Sequence, residues 1–141
     1  MKIDSVLNSQ YWIRIALRTM EIRALELGIT KGVAAISIDE LGAEFGHIYT
    51  RAVNDQIQRR KRSEDDPATN YLGVVLEKIA VMKATFFNSG TFKSVKNGET
   101  KYKGGLVVTV GRFAVYVAFS GGTEEQDVEI ARVGLTVLVD I

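Results

Sequence analysis

RFAVYVAFSGGTEEQD, residues 112–127, is the stretch on which the fold turns. In its first half Phe113, Val115, Val117 and Phe119 alternate with Ala114, Tyr116 and Ala118, the period of two that a strand imposes on its side chains. Both sets are apolar, so both faces must be covered, and the segment reads as a central strand with helices above and below it. In the second half Gln126 follows Thr123 at the spacing of a capping box, in which the hydroxyl accepts from a first-turn amide and the glutamine side chain returns to the cap. A helix is expected from there to the C-terminus, with Ser120-Gly121-Gly122 as the turn into it.

Working outward, Leu106 to Val110 reads as a partner strand joined around Gly111. Between Ser5 and Leu27, Tyr11, Trp12, Ile15, Ala16 and Met20 recur at steps of one, three and four among Arg14, Arg18, Glu21 and Arg23, which predicts an amphipathic helix closed by Gly28. Val33 to Asp39 and Glu44 to Thr50 read as an antiparallel hairpin around Leu41-Gly42, with Phe45, His47 and Tyr49 on one face. Asp66-Pro67 has the chemistry of a helix start, and the spacing predicts a long helix from Pro67 to Phe87 with Leu72, Val75, Leu76, Ile79, Ala80, Phe86 and Phe87 on its stripe. The order is helix, two strands, helix, late strands, helix. That order predicts one α+β domain over residues 1–141, a mainly antiparallel sheet with helices on its faces.

Composition narrows the function classes. The net charge of +1 gives no global field to hold nucleic acid or an anionic membrane. Arg59-Arg60-Lys61-Arg62 is answered at once by Glu64-Asp65-Asp66, with no aromatic interleaved, and reads as a mobile surface loop and not a nucleic-acid site. Absence of cysteine excludes disulfides, thiolate metal sites and a thiol nucleophile. Met1 to Leu7 lacks the pattern of an export signal, and no run approaches the ~18 apolar residues of a membrane span. The expected location is the cytoplasm.

Ser120-Gly121-Gly122-Thr123-Glu124-Glu125-Gln126-Asp127, continuing through Ile130-Ala131, resembles the SGGTPEQD signature of the GlcG/HbpS-like family, which also occurs as the C-terminal domain of PduO-type proteins. Gly104-Gly105 resembles the family's paired glycines, Lys83-Ala84-Thr85 its KAxTA helix motif, and Asp39 with Gly42 its D-x-x-G turn. Val115 and Ala118 stand where relatives carry glycine, and Leu106 where they carry proline. The resemblance implies a profilin-like three-layer α/β/α fold with a five-stranded, mainly antiparallel sheet, and homo-oligomers from dimers to octamers. It implies haem binding or degradation for some members and no shared reaction.

Lys83 falls within the apolar stripe of its helix, four residues after Ile79 and three before Phe86. A buried ammonium needs a carboxylate, an anion or water, so Lys83 is expected to line a pocket, or to extend its head to solvent over an apolar stem. His47 is the one imidazole, and so the one strong candidate for an axial haem ligand or a near-neutral proton carrier. Gly121, Gly122 and Thr123 lead into a helix N-terminus, which favours an anion such as a carboxylate, a phosphate or a haem propionate, and equally makes a well-capped turn. Glu125 and Asp127 suit the first turn for structural reasons alone.

These residues support two readings. One is a small-molecule- or haem-binding protein using His47, Lys83, Gly121, Gly122 and Thr123. The other is a cofactor-free lyase or isomerase acting on a small carbonyl or carboxylic acid compound through Lys83 and His47. A subunit serving assembly alone is the third possibility. The last helix carries one stripe at Val128, Ala131, Leu135 and Leu138 and a second at Ile130, Val133, Val137 and Ile141. A second apolar stripe needs a second cover, which predicts a homo-oligomer unless the first helix or the long loop supplies that cover.

Overall fold

The computed structural model describes residues 6–43 and 46–140. Helix α1 (Val6–Glu26) is followed by strands β1 (Val33–Glu40) and β2 (Tyr49–Ala52), then by two short strands, β3 (Gln58–Arg59) and β4 (Thr69–Asn70). Helix α2 (Tyr71–Thr85), strands β5 (Gly105–Val110) and β6 (Phe113–Ser120) and helix α3 (Glu124–Leu138) complete the chain. The fold is α+β. Four strands form an antiparallel sheet in the order β2-β1-β6-β5, and β3 and β4 make a separate two-stranded ribbon.

Strand β6 is central, paired to β1 from Val33 opposite Ser120 to Glu40 opposite Phe113, and to β5 on its other edge. Its two apolar faces are covered as its alternation requires. Val115, Val117 and Phe119 join Ala34 and Ile36 under α1 and α3, while Ala114, Tyr116 and Ala118 join Val33 and Ala35 under α2. Gly111, at φ 58°, holds the first position of the two-residue β5–β6 connection, where a type II′ turn favours glycine. Thr123 and Gln126 form the capping box, each side chain accepting from the other's main-chain amide.

Sequence and structure part in five places. The sheet has four strands where the resemblance implies five, and Gln58-Arg59 and Thr69-Asn70 pair in a separate ribbon. Helix α2 starts at Tyr71, not Pro67. Asp66 is bonded to the Arg59 guanidinium and to the amides of Arg62 and Ala68, and Ala68 at φ 66° cannot begin a helix, so Asn70 caps it by accepting from Gly73 at 3.0 Å. At its other end Phe86 turns left-handed, and Phe86 and Phe87 lie exposed, off the buried stripe. Arg59 to Arg62 accordingly belong to a ribbon and turn pinned by the Arg59–Asp66 pair. His47 lies in an exposed loop before β2 and on no strand face; Phe45, and Ile141 of the second α3 stripe, are outside the described residues.

Helix α1 packs on α3 within the chain. Ile130, Ala131, Leu135 and Leu138 are buried in the shared core, Val137 packs against it half-buried, and the absence of a side chain at Gly134 admits Met20. The cover sought for the second stripe is therefore supplied in part by α1. At the mouth of β6 two backbones cross: a Cβ at Gly121 would stand 2.6 Å from the Lys31 oxygen, and one at Gly32 2.7 Å from the Ser120 oxygen. Gly121→Ala should cost about 2 kcal/mol or more in denaturant unfolding. Gly98→Ala, left-handed at φ 86° but in open space, should cost about 1 kcal/mol, and equal losses would show that the crossing is not tight.

Candidate functional site

Two lysines leave α2 for charged partners. Ser37 and Asp39 continue the α2 side of β1, and the register sets Ser37 opposite Tyr116. Lys83 Nζ donates to Ser37 Oγ at 2.8 Å and to the Asp39 carboxylate at 2.9 and 3.1 Å, 5.3 Å from the centre of the Tyr116 ring. Burial, reinforced by the Asp39 charge, pushes the Tyr116 phenol up. The ammonium thus meets a carboxylate, as expected, but its donors are engaged and it lines neither of the cavities described below.

His47 joins this cluster through its main chain alone, its carbonyl accepting from Ser37 Oγ at 2.6 Å. Its imidazole is exposed, 6.3 Å from the Tyr49 ring. Sequence reasoning brought Lys83 and His47 together as side chains; the structure brings together Lys83, Asp39 and Ser37. The residues around His47 do not fit a haem, since the imidazole stands on an exposed loop away from both cavities. Among the described residues no group of three or more histidines and carboxylates is placed to hold a metal. Among them, too, no helix is long and apolar enough to cross a membrane.

Lys78 is the lysine that the sequence reading missed. It is 1% exposed, and its Nζ donates to the Phe119 carbonyl at 2.7 Å and to Asp127 Oδ2 at 3.0 Å. The other carboxylate oxygen of Asp127 accepts from the Gly122 amide at 2.9 Å. The anion at this helix N-terminus is therefore the protein's own, and Gly121, Gly122 and Thr123 serve the turn with their internal bonds while their backbone walls the adjoining space. Gly104 makes the pair possible, because a Cβ there would lie 2.5 Å from Lys78 Nζ and 2.7 Å from the Asp127 Cβ. Burial pushes the Asp127 carboxyl up to about 6, opposed by Lys78 and the Gly122 amide, and burial likewise pushes Lys78 down, opposed by Asp127. Spacing could have found Lys78: it lies three after Val75 and four before Met82, both fully buried.

Two cavities meet at the Gly121-Gly122 turn. One, of about 370 Å³, lies over the Lys78–Asp127 pair and is lined also by Thr69, Tyr102, Ser120 and Glu124. The other, of about 630 Å³, opens between the Leu27–Lys31 segment and the Arg59–Arg62 turn. Tyr71, Gly121 and Gly122 line both. No family model and no curated protein matches the chain.

Removing one member of the buried pair leaves the other uncompensated, so Lys78→Met should cost about 3–5 kcal/mol, and Lys78→Met with Asp127→Asn should recover part of it. An additive double mutant would mean that the two do not interact. The Asp127 carboxyl should titrate near pH 6 in a carbon-detected NMR experiment. Because that value lies above the ordinary 3.8, the folded state holds a proton that the unfolded chain has released. Its stabilising contribution is complete below about pH 3.8 and is lost as pH rises through about 6. A midpoint at or below the ordinary value would contradict this assignment.

Proposed function

We propose that the chain is a cytoplasmic small-molecule-binding protein of the GlcG/HbpS-like kind, whose ligand is a small hydroxylated metabolite seated over the Lys78–Asp127 pair. The observation that supports this reading is the lining of the 370 Å³ cavity by the hydroxyl-bearing residues Thr69, Tyr71, Tyr102 and Ser120 beside Lys78, Glu124 and Asp127. Its volume falls in the ~300–1,000 Å³ range of ligand sites. Two carboxylates face one ammonium there, so the cavity favours hydroxyl groups, which can donate to a carboxylate, over an acidic group. A lyase or isomerase acting through Lys83 and His47 has less support, since Asp39 holds the amine and His47 joins that cluster only through its carbonyl. Assembly into a homo-oligomer rests mainly on the family resemblance, because α1 supplies part of the cover of the second stripe within one chain; light scattering giving a mass near 15.6 kDa would remove it.

NMR titration with ribose and with glycerol tests the site. The amides of Tyr71, Gly121 and Gly122 should shift saturably, and Tyr102→Ala, a change at an exposed residue, should weaken the response about ten-fold without lowering the melting temperature. Shifts confined to residues around Lys83, or none at all, would overturn the proposed site.

A further inference from the structure

The larger cavity carries a charge imbalance that the fold does not use. Lys31, Arg59, Arg60, Lys61 and Arg62 line it with no carboxylate among them. Asp66 neutralises Arg59 alone, and among the described residues the other four make no ion pair. The same aspartate accepts from the Arg62 amide at 2.9 Å, while Arg59 Nη1 donates to the Arg60 carbonyl at 3.2 Å, so both ends of the basic turn are fixed. Four like charges held together in one cleft repel, and a multiply charged anion between them would relieve that repulsion.

We infer that this cleft takes the phosphate of a phosphorylated metabolite whose hydroxylated body occupies the cavity over Lys78 and Asp127. The inference rests on the proposed small-molecule site and names its ligand class. A phosphate monoester carries up to two charges and presents three acceptor oxygens, which guanidinium forks match in pairs. Tyr71, Gly121 and Gly122 border both cavities, so one ligand can reach from the basic turn to the cavity over Lys78 and Asp127. The charge sits in one cleft of a chain whose net charge is +1, with Glu64 and Asp65 following in sequence, and this favours a small anion over a tracked nucleic-acid strand.

Calorimetry, with amide NMR to locate the binding, on the full chain with ribose 5-phosphate, ribose, inorganic phosphate and a twelve-nucleotide RNA tests it. Ribose 5-phosphate should bind at least ten-fold more tightly than ribose or phosphate alone. Arg60→Ala with Lys61→Ala and Arg62→Ala, all exposed positions, should erase that gain and leave ribose binding intact, with the melting temperature unchanged. Raised salt should shrink the gain. Ribose binding at the Gly121-Gly122 turn with nothing added by the phosphate would overturn the inference and leave the proposed site standing. Ribose 5-phosphate binding no better than inorganic phosphate would overturn the shared site, and so would tighter binding of the RNA. Neither sugar shifting the turn amides would remove the proposed site itself.

Discussion

The buried pair of Lys78 and Asp127 sets the terms for the rest of the molecule. Helices α2 and α3 lie on opposite faces of the sheet, so their side chains can meet only beyond the end of a strand, and the pair meets at the end of β6. Taking both charges out of water costs several kcal/mol each, and their attraction offsets this only when the remaining bonds are also made. Here they are: the Phe119 carbonyl takes the ammonium and the Gly122 amide takes the carboxylate. Among the described residues no buried side-chain nitrogen or oxygen is left without a partner. An apolar pair of similar volume could hold the helices as firmly, but it would not fix the turn amide at the same time.

Space for this pair comes from missing side chains. Gly104, at φ 120°, would with any Cβ strike Lys78, Asp127 and the Phe119 carbonyl, and Gly121 with Gly32 lets two backbones cross just beyond it. Positions that carry the family resemblance, Gly104, Gly121 and the Thr123–Gln126 box, therefore have a backbone-packing reason to be what they are. Asp39 and Lys83, from two further matching motifs, bond to each other across β1 and α2. Such positions speak for a way of folding before they speak for a ligand.

The legible parts of the fold were those whose physics is local or strictly periodic. Alternation through Phe113 to Phe119 placed β6 at the centre with both faces covered, and Thr123 with Gln126 placed the start of α3. What misled were residues with two possible partners. Asp66 before Pro67 has the right chemistry for a cap, yet its carboxylate went to Arg59, seven residues upstream, which a reading of neighbours could not rank. His47 fits an alternating pattern with Tyr49, but Ser37 takes its carbonyl and the strand begins two residues later. The stripe test that singles out Lys83 applies equally to Lys78, three after Val75 and four before Met82. Asp127 was legible as a first-turn acid, but its contact with Lys78 depends on the sheet bringing α2 to α3.

Electrostatic accounting separates what the fold consumes from what it leaves over. Asp127 occupies the turn amide that an external anion would have used, Asp39 occupies Lys83, and Asp66 occupies Arg59. Each of these charges has a structural partner and needs no ligand to explain it. Lys31, Arg60, Lys61 and Arg62 are different: all four line one cleft and pair with no carboxylate among the described residues, and the three that follow β3 stand on a turn whose ends are bonded to Asp66 and Arg59. Exposed lysines and arginines scattered over a surface cost little and signify little. A cluster of one sign lining a single cleft is a different object, because the fold gathers these charges on a turn tied at both ends without supplying the counter-charge.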